Sequence, residues 1–251
     1  MMDFSPRPEQ ASKWGQIWAH AKMEAGLILR NGEQLILSVV FPLAMLIGGR
    51  YFGDRVGLDF HDLAPSVLGM VAWSSGLTAL AISTGFERRY NVLERLTATP
   101  LGKEGILAGK AISIALITLA QVLGILAVAL LLGWRPEVQL AAIGVAALVF
   151  VLSLGAFIGL GLSMAGSLRP ETTLALANLL FLIGLPLGIV LPVSVFPGWA
   201  QLPITGLPTA ALGESLRAGS AGVILWWPVL ISALWCVVAW LLARKVFKWT
   251  S

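Results

Sequence analysis

The sequence predicts an all-α integral membrane protein with six transmembrane helices, and three observations support that fold class. Of its 251 residues, 57% are hydrophobic and only 12% are charged, whereas a soluble domain carries about 25% charged residues. The apolar residues form long uninterrupted runs, and a bilayer core needs roughly 20 of them per helix. A transmembrane β-barrel would show short alternating segments instead.

Stretches without charge place the six spans within a single domain, residues 1–251. They cover residues 34–49, 63–86, 111–134, 138–168, 172–190 and 218–243. The charge-free run that begins at residue 172 continues to residue 213, which is too long for one span. Prolines interrupt its second half, and a proline inside a helix kinks or breaks it. We therefore expect span five to end near residue 190.

An amphipathic helix at the membrane interface is predicted over residues 12–32, before span one. Its apolar face carries Trp14, Ile17, Trp18, Ala21, Ala25 and Ile28, and its polar face carries Lys13, Gln16, His20 and Glu24. Ser12 can cap the start of the helix, and Asn31 with Gly32 can end it. Tryptophans on the apolar face fit the headgroup level of a bilayer.

A charged segment, residues 87–100, follows span two within the connecting loop 85–110. As a helix, it would align Val92, Leu93 and Leu96 in an apolar strip and Arg88, Asn91 and Arg95 in a polar strip. Thr99 and Pro100 would end it, because the residue before proline resists the helical conformation. The residues alone fit either a rigid lever that docks on a cytoplasmic partner or an ordinary positively charged loop.

The distribution of basic residues orients the chain. Only Arg50, Arg55, Arg135 and Arg217 of the 17 lysines and arginines lie in loops on the side away from the amino terminus. Cytoplasmic loops carry the excess of positive charge. We therefore expect both termini in the cytoplasm and the chain in the plasma membrane.

A broken segment, residues 191–213, separates spans five and six. It contains Pro192, Pro197, Pro203 and Pro208, so no continuous helix is expected there. Irregular backbone at membrane depth is tolerated only where protein buries it or water reaches it. The pattern predicts an outer re-entrant segment, and a kinked surface loop is the simpler alternative.

The sequence offers no catalytic, metal or nucleotide site. Both histidines, His20 and His61, lie outside the apolar runs, and Cys236 is the single cysteine. The stretch 105–110 resembles a phosphate-binding loop only superficially, because three residues separate its glycines and alanine follows its lysine. The basic residues flank the spans, which indicates membrane topology rather than nucleic-acid binding.

Segment 87–101 reads Glu-Arg-x-x-x-x-Leu-x-Arg-Leu-x-x-Thr-Pro-Leu and resembles the ABC-2 type permeases of ABC transporters. The similarity extends over nearly the whole chain: lead-in helix, six spans, charged loop and proline-rich segment. It is nearest to the branch of drug and antibiotic exporters typified by daunorubicin-resistance permeases. Arg89 stands where the family often has an acidic residue, and Asn91 where it often has glycine.

The resemblance implies that the charged segment is the coupling helix, which contacts a cytoplasmic ABC ATPase subunit. By position the coupling residues are Glu87, Arg88, Asn91, Leu93, Glu94, Arg95, Leu96, Thr99 and Pro100. It further implies that this chain is the permease of an exporter that moves an amphipathic drug, lipid or secondary metabolite. ATP and magnesium would bind to the partner ATPase, and a second copy or a related permease would complete the transport path.

Candidate residues for the substrate path follow from residue type and position in a span alone. They are Trp73, Phe157, Asn178 and Phe181. An ion- or proton-coupled secondary transporter is the alternative function, but it requires ionisable residues inside the spans, and the six windows contain none. An intramembrane serine hydrolase would need a base near Ser220, and neither histidine lies in a span.

Overall fold

The computed structural model describes residues 11–30 and 39–249, and this part of the chain contains helices and turns but no strand. The helices are α1 (Lys13–Arg30), α2 (Phe41–Phe52), α3 (Phe60–Trp73), α4 (Leu80–Arg89), α5 (Val92–Thr97), α6 (Gly102–Leu131), α7 (Leu140–Ser167), α8 (Pro170–Gly184), α9 (Gly198–Thr205), α10 (Pro208–Ser220) and α11 (Trp227–Val246). A π-helical turn, Ser74–Ala79, joins α3 to α4, and a second, Leu185–Ile189, extends α8.

Proline and glycine set many of the helix ends. Pro170, Pro208 and Pro228 each lie in the first turn of a helix, where proline costs no hydrogen bond because the N–H groups there are unpaired. Gly133 after α6 and Gly222 after α10 adopt positive φ angles of 96° and 70°, which few other residues tolerate.

Five helices within the described ranges are long and apolar enough to cross a membrane. They are Phe60–Arg89, Gly102–Leu131, Leu140–Ser167, Pro170–Ile189 and Trp227–Val246. They correspond to the predicted spans two to six. The predicted first span, residues 34–49, lies partly outside the described residues, and most of its described part belongs to α2. A count of six spans therefore stays a prediction.

The last span begins later than the sequence predicts. The charge-free window starts at residue 218, but α10 continues to Ser220 and α11 begins only at Trp227. Ala221 and Gly222 form a turn between them. The window therefore joins the end of one helix to the start of another, because a turn built from small apolar residues leaves no mark in the charge pattern.

The two ends of the helical bundle differ in composition and in structure. One end, which we call the α1 face, includes α5, the α7–α8 junction and the residues after α11. There the Lys248 N–H donates to the Gly166 carbonyl at 2.9 Å. The other end, the α9 face, includes the α10–α11 turn, and the Glu137 N–H donates there to the Ser220 carbonyl at 2.8 Å. Arg88, Arg89, Arg95, Lys103, Arg169, Arg244, Lys245 and Lys248 lie at the α1 face.

Helix α1 runs beside the first turns of α6 and packs both polar and apolar side chains inward. His20 and Glu24 are buried against α6, whereas Trp14 is 67% exposed. Ser12 caps the helix, because its hydroxyl accepts a hydrogen bond from the Gly15 N–H at 3.2 Å. Asn31 and Gly32, the predicted stop, lie outside the described residues. The two predicted faces are therefore not cleanly separated, because Ala21 of the apolar face is buried with His20 and Glu24, whereas Lys13 of the polar face is exposed.

Glycines of α7 allow close contact with its neighbours. An added Cβ at Gly159 would lie 2.8 Å from the Ala239 Cβ and 3.0 Å from the Trp240 backbone nitrogen of α11. At Gly161 it would lie 2.9 Å from the Gly76 carbonyl oxygen in the π-helical turn. Small residues let transmembrane helices approach closely enough for extensive van der Waals contact. These glycines therefore serve packing within one chain.

We expect opposite effects from adding a methyl group at two glycines of α7. Gly159→Ala should lower the free energy of unfolding by about 1 to 3 kcal/mol, because backbone atoms of α11 occupy the space. Gly144→Ala should leave it unchanged or raise it by up to about 1 kcal/mol, because alanine favours helix and no atom lies within 4 Å. Thermal unfolding in detergent measures both. Equal effects would show that the α7–α11 contact is not tight.

Candidate functional site

The charged segment 87–100 is two helical pieces rather than one helix. Helix α4 ends at Arg89, and the short helix α5 begins at Val92. Between them Asn91 has φ 57° and ψ 22°, the left-handed conformation that asparagine tolerates better than most residues. The predicted continuous helix is therefore wrong. The sequence clue was Asn91 itself, which stands where glycine is common in the family it resembles.

A small core fixes α5 against the rest of the chain. Leu93 is fully buried and packs with Leu101 and Ile106, and Ile17 of α1 and Phe247 near the end of the chain pack around them. Leu93 of the apolar strip is thus occupied by residues of the same chain, and Leu96 packs partly against the same core. Leu93 holds the segment in place and is not free to bind another protein.

The outer surface of the segment remains accessible. Tyr90 is 63% exposed and Val92 is 36% exposed, and Glu94 and Arg95 are exposed beside them. Arg95 also braces the turn, because its guanidinium donates to the carbonyls of Tyr90 and Asn91 at 3.1 and 3.3 Å. Thr99 and Pro100 are exposed at the end of the segment. The turn between α4 and α5 and helix α5 itself, residues 90–100, therefore form a rigid and exposed structure at the α1 face, which we call the elbow.

Beneath the elbow lies a buried charge cluster formed by His20, Glu24, Glu87 and Lys110. The Lys110 ammonium is 3.0 Å from both carboxylate oxygens of Glu24 and 2.5 Å from Glu87 Oε2. Lys110 is 1% exposed. The cluster joins three elements that are remote in sequence: α1, the end of α4 and the start of α6. Each buried charge has a partner, which such groups require.

His20 completes the cluster beside Glu24. Its Nε2 lies 3.5 Å from Glu24 Oε1, and Gly109 leaves room for the ring, since a Cβ there would approach it to 2.4 Å. Burial against α6 lowers the pKa of His20 below its ordinary value near 6.5, the Lys110 charge adds to this, and the Glu24 charge opposes it. The histidine therefore favours its uncharged form in the folded protein.

The four predicted substrate-path residues do not share one environment. Trp73 and Phe157 are buried and meet edge to face, with ring centroids 4.7 Å apart. Asn178 and Phe181 lie on α8. Asn178 is exposed, whereas Phe181 is partly buried, packs against the core that contains Trp73 and Phe157, and meets the Phe41 ring of α2 with centroids 6.4 Å apart. The structure does not bring the four residues into one cavity of a single chain. The first pair belongs to the packed interior of the bundle.

An apolar space lies away from these four residues, between α1, α2 and α6. It is an open groove of about 430 Å³, and Ala25, Leu43, Ile117 and Val128 are among its lining residues. None of the predicted path residues reaches it. Its lining is almost wholly apolar, in keeping with the surrounding spans.

The proline-rich segment 191–213 is ordered and helical. Pro197 precedes α9, Pro203 lies within it, and Pro208 opens α10, while Pro192 precedes a short 3₁₀ turn, Val193–Val195. Helix α10 is buried along most of its length among α3, α7 and α11. Helix α9 leaves Trp199 and Leu202 more than 80% exposed. Membrane depth, and hence re-entry, stays a prediction.

Arg217 and Thr209 of α10 satisfy the backbone where α8 breaks. Gly188 has φ 95°, so the helix cannot continue past it, and its carbonyl and that of Ile189 accept hydrogen bonds from Arg217 at 3.0 and 2.7 Å. The Thr209 hydroxyl donates to the Leu187 carbonyl at 2.7 Å. Glu214 pairs with Arg217 at 2.9 Å. Arg217 is thus a buried structural residue of a helix, whereas its sequence position predicted an outer loop.

Sequence reasoning missed the charge cluster, although weak signals were present. Lys110 directly precedes an apolar span, and Glu24 and His20 share one face of an amphipathic helix. Each pattern is common on a protein surface. Only the packing of α1 along α6 pairs them.

Removal of the central cation should be costly. Lys110→Met leaves the buried Glu24 and the partly buried Glu87 without their shared cation, so we expect the free energy of unfolding to fall by about 3 to 5 kcal/mol. Lys103→Met, at an exposed position of the same helix, is the matched control and should change it by less than about 1 kcal/mol. Thermal or denaturant unfolding in detergent gives both values. Equal stability of the two variants would contradict the structural role of the cluster.

His20 should make stability depend on pH. Because its folded pKa lies below its ordinary value near 6.5, the unfolded chain binds the proton more readily, and acidification favours unfolding. We expect the unfolding temperature to fall more steeply from about pH 7.5 to about pH 5.5 in the wild type than in His20→Gln. Parallel pH profiles of the two proteins would show that His20 does not titrate differently on unfolding.

Comparison with known proteins agrees with this architecture. The family model of the ABC-2 type transporter matches residues 15–220, a range that runs from α1 to the end of α10. A search of curated proteins found no match. The matched range includes the elbow, the buried charge cluster and the proline-rich segment, and it covers most of the chain. The chain therefore belongs to the ABC-2 type transporter family.

Proposed function

We propose that this chain is the permease subunit of an ATP-driven exporter and that residues 87–100 transmit the motion of a separate ATPase subunit. Permease domains of this family generally work with ATPase subunits in a membrane, and the domain itself is not catalytic. The single observation that carries the proposal is the exposed elbow at the α1 face. The outer side of the elbow is exposed to solvent, whereas its inner side packs on the bundle through Leu93.

The geometry supports a lever that moves with the spans. A push on α5 is passed to α4 through the turn at Asn91, and to α6 through the core around Leu93. The Glu87–Lys110 ion pair joins the same two helices below the elbow. Packed side chains have low compressibility and transmit strain. The elbow and the ends of two spans therefore form one mechanical unit.

The basic residues support a cytoplasmic position for this unit. The α1 face carries the lysine- and arginine-rich loops, and such loops are retained in the cytoplasm. In this orientation both termini are cytoplasmic in the plasma membrane, and α9 lies outside. ATP and magnesium bind to the ATPase subunit, and the proline-rich segment 191–213 caps the path at the outer side.

An apolar or amphipathic substrate suits the spans. Lipid-like compounds, drugs and secondary metabolites are the classes that fit their composition. Asn178 and Phe181 are accessible on α8 and would line a path between two permease subunits, either two copies or a related pair. Trp73 and Phe157 would support that wall from inside the bundle. Proton or ion coupling is less well supported, since ionisable side chains of the described spans lie toward their ends.

Substitutions on the exposed side of the elbow should uncouple the two subunits without unfolding the permease. We expect Val92→Asp combined with Glu94→Lys to weaken ATPase binding by about tenfold or more, because a few central contacts dominate most interfaces. Co-purification and permease-stimulated ATP hydrolysis measure the effect. Val223→Asp, at an exposed position on the α9 face, should alter neither.

A second variant separates docking from folding. Leu93→Asp places a charge in the core under the elbow, so it should lower the unfolding temperature of the permease itself. The Val92/Glu94 variant should keep the wild-type unfolding temperature. If that variant retains both the ATPase subunit and transport, segment 87–100 is not the coupling element.

A further inference from the structure

A positively charged pocket lies at the α1 face where α4 ends and α8 begins. It has a volume of about 280 Å³ and is lined by Arg88, Arg89, Arg169, Pro170 and Glu171. Three guanidinium groups face one carboxylate, so the pocket carries net positive charge. ATPase docking on the exposed face of α5 makes no use of Arg169 or of the start of α8.

Arg88 is the deepest member of the pocket. It is 7% exposed, and its Nη2 donates to the Leu168 carbonyl. Its Nε and Nη1 are buried without a hydrogen-bond partner among the described residues. Buried donors without an acceptor cost free energy, and a charged group costs more than a neutral one. An acceptor that enters the pocket would remove that cost.

The amino end of α8 adds a second attraction for an anion. Arg169 is the residue before the helix, and Pro170 is its first residue. The first turn of a helix presents unpaired N–H groups and the positive end of the helix dipole, which favour phosphate. Glu171 in this turn pairs with Arg89. Its carboxylate therefore occupies part of the same positive field and competes with any bound anion.

The position of the pocket indicates the source of the anion. The candidate span Phe60–Arg89 ends at the pocket, and the candidate span Pro170–Ile189 begins there, so the pocket lies at the level of the lipid headgroups. Arginine forms bidentate hydrogen bonds with phosphate. We propose that Arg88, Arg89, Arg169 and the amino end of α8 bind the phosphate group of an anionic phospholipid. The proposal is independent of exporter function.

The test measures phospholipid binding to the full chain, purified in detergent, by native mass spectrometry with added phosphatidylglycerol. We expect Arg88→Gln and Arg169→Gln each to weaken binding by about fivefold, the contribution of one basic residue near an anionic surface. Glu171→Gln should strengthen binding, because it removes the competing carboxylate. Arg244→Gln, an exposed site on the same face of the bundle, is the charge-matched control and should bind like the wild type.

Arg169 is exposed, so Arg169→Gln should fold even if Arg88→Gln does not. Opposite changes in phospholipid binding for Arg169→Gln and Glu171→Gln exclude a merely structural effect. Phosphatidylcholine, which is zwitterionic, should bind more weakly than phosphatidylglycerol and respond little to these variants. Equal retention of phosphatidylglycerol by Arg169→Gln and Arg244→Gln would overturn the proposal. The proposal would also be overturned if only inorganic phosphate bound at this site. The same holds if the Arg88 and Arg169 variants lost the ATPase subunit while their lipid binding stayed unchanged.

Discussion

The hydrogen bonding of a broken helix is the constraint on which this fold depends. Apolar surroundings offer no partner for a free carbonyl, so irregular backbone must be satisfied by protein. At the end of α8, three successive carbonyls, those of residues 187–189, receive donors from Thr209 and Arg217. Arg217 also donates to the Ser66 hydroxyl of α3 at 3.1 Å. One buried arginine thus ties α3, α8 and α10 together.

Close packing between α10 and the end of α8 restricts the position of α10. A Cβ at Gly213 would lie 2.0 Å from the Gly188 carbonyl oxygen, and one at Gly188 would lie 2.2 Å from the Ala210 Cα. The break in α8 and the small face of α10 fit only in one register. Movement of α10 alone would expose the arginine and the three carbonyls, so α10 and the end of α8 move as one body.

Charge and proline patterns predict the helical class, the five helices that are long and apolar enough to cross a membrane, and the site of the break in α8, because these features depend on composition within short stretches. The same patterns misplace the start of α11, since the α10–α11 turn is as apolar as the helices beside it. They also treat residues 87–100 as one helix, because the backbone angle of Asn91 is a local property that helical periodicity does not register.

Contacts between distant segments are the part that sequence reasoning could not supply. Leu93 has the spacing of a docking residue, but whether its partner is another protein or its own chain depends on where Ile17 and Phe247 lie. Glu24 and Lys110 have ordinary surface patterns until α1 packs along α6. Trp73 and Phe157 fit an aromatic path by residue type, yet they fill the interior of one bundle.

The separation of the ion-pair partners along the chain has a consequence for biosynthesis. Glu24 and Lys110 are 86 positions apart, so at ordinary rates of protein synthesis the glutamate is made roughly 4 to 17 s before its lysine. During that interval Glu24 has no partner on α6, and the polar side of α1 stays hydrated while the segments before α6 insert. Helix α1 can dock only after α6 emerges. The ion pair under the elbow can therefore form only after residue 110 has been made, and the contact of Phe247 with the Leu93 core forms only after a further 137 residues.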